Sequence, residues 1–226
     1  MRYRGVIFDL DGTLADTLAD LTDAVNVGLS SLNYGPRAAD EVRQWIGDGM
    51  MQLCRRAIIA ALPADRQVAG SSVPDTTVAA MAEVFTEHYR RHRLDKTVAY
   101  PDMAFLLTEL AAHGLKLAVF SNKPHEHTVA LVEALFKGWP WAVVEGGRED
   151  RPKKPDAELT RQVLARLDLQ PAEVLTVGDS SPDMQAARNV GATAVGVTWG
   201  FRSREELLAA GADHVIDRPA ELLELL

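Results

Sequence analysis

The sequence predicts a doubly wound parallel α/β sheet, interrupted after its first strand by an all-helical insertion. Three observations carry this prediction. Short apolar runs rich in β-formers alternate with amphipathic helical patterns through the C-terminal half, as in a parallel sheet covered on both faces. Between about Leu18 and Arg93 the periodicity is helical nearly throughout, with no convincing strand. The first apolar run, Gly5-Val6-Ile7-Phe8, ends in two carboxylates two residues apart, Asp9 and Asp11. A buried strand end does not carry such a pair unless something cationic meets it.

The elements follow in order. After the first strand, helical patterns cover Leu18–Leu32, Ala39–Ile46, Met50–Leu62 and Thr76–Arg93. They break at Asn33-Tyr34-Gly35-Pro36, at Gly47-Asp48-Gly49 and at Gly70-Ser71-Ser72-Val73-Pro74. Asp16-Thr17 and about Leu94–Pro101 are read as hinges. A helix over Asp102–Ala112 ends at His113-Gly114 and is followed by a strand over Leu115–Phe120. Lys123-Pro124 opens a helix to about Phe136, and Trp141–Val144 is a strand. Asp156–Leu167 is helical. Val174–Val177, Thr193–Val197 and His214–Ile216 are strands, with helices near Pro182–Asn189 and Arg204–Ala209 between them. The division expected is an α/β core of residues 1–16 and 95–226 and a helical insertion of residues 17–94.

Composition narrows the function. The 226 residues carry a net charge of −8, with no block of basic residues, which argues against nucleic acid as the main partner. No apolar span is long enough for a membrane helix. Asp9 and Asp11 interrupt any N-terminal apolar segment of the secretory kind. A cytoplasmic protein with no membrane partner is expected. Nothing distinguishes a monomer from a homodimer. The single cysteine, Cys54, falls in an apolar helical pattern and reads as a packed thiol.

In a parallel α/β sheet, ligands bind outside the carboxyl ends of the strands. Asp9 and Asp11 follow the first strand; Ser121 and Asn122 follow the second, just before a helix. Lys153-Lys154-Pro155 lies in the loop after the third, and Gly178-Asp179-Ser180-Ser181-Pro182-Asp183 follows the fourth. Ser121 at a helix start makes an anion site, and a lysine adds a point charge suited to phosphate. Asp9, Asp11 and Asp179 offer hard oxygen ligands that suit Mg²⁺. Of the two lysines, Lys154, next to the proline, is the better candidate. Asp183 reads either as a site residue or as a carboxylate facing the first turn of its helix. His125 and His127, two apart on a helix, do not share a face and are not read as a metal pair.

At these residues the chain resembles the haloacid dehalogenase superfamily of phosphohydrolases, and the resemblance covers essentially the whole chain. Asp9-Leu10-Asp11-Gly12-Thr13-Leu14, Ser121, Lys154-Pro155, and Gly178-Asp179-Ser180 with Asp183 match its four motifs in order. The resemblance implies a Rossmann-like core with a small helical cap that closes over the site. It makes Asp9 the nucleophile and Asp11 the acid and base. Asp9, the Asp11 backbone carbonyl and Asp179 would hold Mg²⁺, with Asp183 behind them or reaching the ion through water. Ser121, the Asn122 backbone and Lys154 would bind the phosphoryl group. An acid at position 11 favours an oxygen leaving group, which needs a proton, over a halide, which does not.

Val42-Arg43-Gln44-Trp45-Ile46-Gly47-Asp48-Gly49, Ser121-Asn122-Lys123-Pro124, Lys153-Lys154-Pro155-Asp156 and Gly196-Val197-Thr198-Trp199-Gly200-Phe201 resemble phosphoglycolate phosphatases. Asp102-Met103 and Ala157 depart from that pattern, outside the catalytic set. Arg43 and Gly47 are candidate substrate contacts from the cap, with a solvated helix face and turn as the other reading. The expected substrate is a small phosphorylated metabolite, 2-phosphoglycolate first. Alternatives are a phosphosugar mutase, a phosphatase for another sugar phosphate, pyrophosphate or a nucleotide, and a phosphate-binding regulatory protein.

Overall fold

The computed structural model describes residues 2–63 and 73–226. The expected break at 70–74 falls mostly outside them; only Val73 and Pro74 are described, and they precede a helix. The chain forms two compact units, Met1–Asp16 with Val98–Leu226 and Thr17–Thr97.

The first unit is built on a six-stranded parallel sheet. Its strands are β1 (Gly5–Phe8), β4 (Lys116–Pro124), β5 (Trp141–Gly147), β6 (Val174–Gly178), β7 (Thr193–Val197) and β8 (His214–Ile216). Their order is β5-β4-β1-β6-β7-β8. β1 lies at the centre, pairing with β4 on one side and β6 on the other. Its side chains alternate between two cores: Val6 and Phe8 join one cluster, Ile7 the other. Both faces of β1 are therefore buried, which is why the run is apolar without alternation. Each such side chain, fully buried, stabilises the fold by about 1.5–3 kcal/mol.

The helices of this unit are α5 (Met103–Ala112), α6 (His125–Leu135), α7 (Ala157–Leu167), α8 (Ser181–Val190) and α9 (Arg204–Ala210). Leu106, Leu107 and Leu110 of α5 and Leu131 of α6 cover one face of the sheet. Leu159, Val163, Leu164 and Leu167 of α7 cover the other. Asp156 caps α7, its side chain accepting from Glu158 N at 2.8 Å. At the start of α5, Asp102 sits in the left-handed region at φ 63°. This is a costly place for a residue with a Cβ.

Two differences from the sequence reading bear on the site. The second strand of the core does not stop at Phe120. It runs on to Pro124, still paired with β5 through Pro124 and Gly147, after a register shift. Gly146 and Gly147 permit this, because a Cβ at either would collide with the β4 segment: at Gly147 it would lie 2.7 Å from Asn122 O. Ser121, Asn122 and Lys123 are consequently extended and buried, and α6 begins only at His125. The two hinges, in addition, contain a short antiparallel pair, β2 (Ala15–Asp16) with β3 (Val98–Ala99).

The second unit holds α1 (Leu18–Ser31), α2 (Ala39–Trp45), α3 (Met50–Ala61) and α4 (Asp75–His92). Among its described residues there is no strand. Gly28 lets α1 approach α4, since a Cβ there would lie 2.9 Å from Met81 Cγ. Residues 95–97 stay with this unit. Buried Asp20 of α1 accepts from Lys96 N, Thr97 N and Thr97 Oγ1 at 2.7–3.1 Å. Cys54 is buried in α3, and burial pushes its thiol up to about 12. No described helix is long and apolar enough to cross a membrane.

Candidate active site

The chain leaves β1 toward β4 on one side of the sheet and reaches β6 on the other. Asp9 therefore stands at the point where strand order reverses, the usual ligand crevice of such sheets. It is 9% exposed, and its backbone N–H donates to Val177 O of β6 at 2.9 Å. Asp9, Asp179 and Asp183 bring carboxylate oxygens within 4.8 Å of one another.

Lys154 is the cation among them. It is 5% exposed, and its ammonium donates to Asp9 Oδ1 at 2.9 Å, Asp183 Oδ1 at 2.6 Å and Phe120 O at 2.7 Å. These three bonds match the three hydrogens of an ammonium group. Burial works against its charge, but Asp183 and Asp9 outweigh burial and hold the ammonium well above the ordinary lysine value.

Asp183 does two jobs. Its Oδ2 accepts from Ser180 N at 3.0 Å and Ser180 Oγ at 2.5 Å, capping α8, while its Oδ1 takes Lys154. The alternatives of site residue and helix-start carboxylate thus coincide in one side chain. The fit needs Gly178, where a Cβ would run into Asp183. Asp179 is enclosed likewise. Phe201 N donates to its Oδ2 at 2.7 Å, and a Cβ at Gly12 or Gly200 would collide with its side chain. The Trp199-Gly200-Phe201 run is thereby explained as a wall of the site; Trp199 Nε1 also donates to Thr13 O at 3.0 Å.

The charges do not balance. Lys154 pairs with two of the three buried carboxylates, Asp9 and Asp183, and the Arg202 guanidinium pulls only weakly on Asp179. Burial, then the charges of Asp183 and Asp9, pushes the Asp179 carboxyl well above the usual range. Burial also raises Asp183, against the pull of Lys154. A compact set of hard oxygen donors with surplus negative charge fits a divalent cation such as Mg²⁺ or Ca²⁺.

Asp11 points elsewhere. Its carboxylate meets Lys123 Nζ at 3.0 and 3.1 Å, and the side chains are 12% and 3% exposed. Lys123 is the site residue that sequence reasoning missed. In the Ser121-Asn122-Lys123-Pro124 run the pattern Lys-Pro reads as a helix start, whereas Lys123 lies in the β4 extension. Ser121 is buried, and its Oγ accepts from Lys123 N at 3.3 Å, leaving its own O–H to donate. Asn122 uses its side chain on the Lys154 backbone: Oδ1 accepts from Lys154 N at 2.8 Å and Nδ2 donates to Lys154 O at 3.1 Å. Lys153 makes no such contacts. Arg43, on α2, and Gly47, with φ 127°, belong to the helical unit. The loop after α2 is tied to α3 by Arg56, which pairs with Asp48 and donates to Trp45 O at 2.9 Å.

Residues 6–197 match the family described as haloacid dehalogenase-like hydrolases, and the chain belongs to that family. It is 32% identical over 223 residues to a phosphoglycolate phosphatase of Psychrobacter arcticus, covering 98% of this chain and 94% of that protein. To the phosphoglycolate phosphatase of Salmonella typhimurium it is 34% identical over 232 residues, covering 99% and 92%. The crystal structure of a predicted phosphoglycolate phosphatase from Haemophilus somnus superimposes with a TM-score of 0.89 at 28% identity, covering 100% of this chain and 98% of that one. Within the family, then, the chain is a phosphatase, a phosphoric monoester hydrolase similar to phosphoglycolate phosphatases.

Proposed function

We propose that this phosphatase hydrolyses 2-phosphoglycolate to glycolate and phosphate through an aspartyl phosphate on Asp9, with Mg²⁺ held by Asp9, the Asp11 backbone carbonyl and Asp179, and Asp183 behind them or reaching the ion through water. The observation that carries this reading is the carboxylate cluster at the centre of the sheet, with two of its three acids sharing one lysine and surplus charge for a cation. Similarity to the phosphoglycolate phosphatases above supports the choice of substrate.

Mg²⁺, when bound, offsets repulsion between the Asp9 carboxylate and an anionic phosphoryl group. Ser121 Oγ–H and the Asn122 backbone hold phosphoryl oxygens, and Lys154 supplies fixed positive charge beside Asp9. Asp9 attacks phosphorus, the P–O bond to the leaving alcohol breaks, and Asp11 gives that oxygen its proton. Asp11, now a carboxylate stabilised by Lys123, then takes a proton from water. The water attacks the phosphorus of phospho-Asp9, releasing phosphate and regenerating Asp9. General acid–base catalysis of this kind contributes about 10²–10⁴-fold.

A phosphate-release screen over phosphorylated metabolites with Mg²⁺ tests the proposal. The expected result is a kcat/KM for 2-phosphoglycolate above every sugar phosphate, nucleotide and pyrophosphate in the panel. A higher value for one of those overturns the substrate. Conversion of a hexose 1-phosphate to its isomer without free phosphate overturns hydrolysis in favour of a mutase.

Metal binding has its own signature. Mg²⁺ at a hundredfold excess over its Kd should stabilise the fold by about 2.7 kcal/mol by linkage, read as a rise in Tm over the protein in EDTA. Asp179→Asn should remove most of that rise. A wild-type Tm indifferent to Mg²⁺ would contradict the assignment.

A further inference from the structure

We infer that Asn122 is a positioning residue for Lys154: its side-chain amide, not only its backbone, sets where the ammonium stands. The inference rests on the reading of Lys154 given above and extends it to a residue that does its work through another. Lys154 lies in the stretch between β5 and α7, with no strand or helix of its own to fix it. A flexible four-carbon side chain on a loop has no intrinsic reason to meet three acceptors at once.

Two outside contacts remove that freedom. Asn122 takes both polar groups of the Lys154 backbone, the N–H at 2.8 Å and the carbonyl at 3.1 Å, in a buried setting. From the other side, Asn189 near the end of α8 donates to Pro155 O at 2.8 Å. The Asn122 end of the clamp is rigid. It lies in the β4 extension, and β5 packs on its carbonyl so closely that Gly147 has no room for a Cβ. β4 serves Lys154 a second time through Phe120 O, which accepts from Nζ at 2.7 Å. The same strand thus fixes the root and the tip of the lysine. A planar amide with one donor and one acceptor suits the task, since it reads a backbone N–H and C=O together. Alanine offers neither, and serine is too short to span both.

A double-mutant cycle tests this. Asn122→Ala and Asn122→Ser are each made in the wild type and in Lys154→Gln. The cycle is read as kcat/KM on the best substrate of the screen and as the Kd of orthovanadate with Mg²⁺, which requires no turnover. Melting curves confine the comparison to folded variants. Displacing a catalytic group by about 1 Å can cost on the order of 10²-fold, so Asn122→Ala should lower kcat/KM about 10- to 100-fold and weaken vanadate in the wild type. In Lys154→Gln it should change either value less than about threefold, because the group it positions is gone. Equal losses in both backgrounds would overturn the inference, assigning Asn122 a direct contact with the phosphoryl group. So would wild-type kinetics in a folded Asn122→Ala. Should Lys154→Gln itself match the wild type, the reading of Lys154 falls and the inference with it.

Discussion

Asp9→Asn should lose turnover by about 10⁴-fold or more, the scale on which removal of a nucleophile acts, while keeping the fold. The amide cannot form the acyl phosphate, yet its oxygen can still accept from Lys154, which sits 2.9 Å from Asp9 Oδ1. The direction of the stability change is informative. Asp9 is one of three clustered buried carboxylates and shares one ammonium with Asp183, so neutralising it relieves repulsion when no cation is bound. In EDTA the variant should melt at or above the wild-type temperature, and its gain from Mg²⁺ should shrink. Activity near the wild-type level would remove Asp9 from the mechanism. A large fall in Tm would mean that its carboxylate is needed for the fold instead.

Lys154→Met should be the most destabilising single change at the site. It strips the cation from Asp9 and Asp183 and leaves Phe120 O without its donor, with the lysine only 3% exposed as a side chain. Removing one partner of a buried ion pair costs about 3–5 kcal/mol, because the remaining charge stays buried and uncompensated. Mg²⁺ should recover part of that loss by supplying positive charge to the same acids. Urea titrations with EDTA and with Mg²⁺ measure both quantities. A loss under about 1 kcal/mol in EDTA, smaller than buried-pair removal allows, would mean that the three carboxylates are not held as charged groups.

Much of this arrangement is legible in the sequence, for a physical reason. A strand buried on both faces must be an unbroken apolar run, so the four inner strands β4, β1, β6 and β7 stood out, and polar residues at their ends were conspicuous. Asp9, Ser121 and Asp179 were found that way. Lys123 was not. Its partner Asp11 lies 112 residues away, and no local pattern reports an ion pair closed by sheet order. The extension of β4 was hidden because Lys123-Pro124 looks like a helix start, while what prolongs the strand is the missing Cβ of two glycines on β5. The two-residue ladder of β2 and β3 is too short to leave a periodicity. Asp183 was ambiguous because capping a helix and binding a lysine ask for the same residue at the same place, and here both are done by one carboxylate.

The central claim is that phosphate passes through Asp9. Asp11→Asn, which cannot deliver the proton or activate water, should let phospho-Asp9 accumulate when supplied with Mg²⁺ and an aryl phosphate whose leaving group needs no proton. Quenching with borohydride reduces an acyl phosphate to the alcohol, turning the phosphorylated aspartate into homoserine. Peptide mass spectrometry should then find homoserine at position 9 and at no other aspartate. Homoserine at Asp179 or Asp183, or phosphate release in the wild type with no reducible intermediate in Asp11→Asn, would contradict the account.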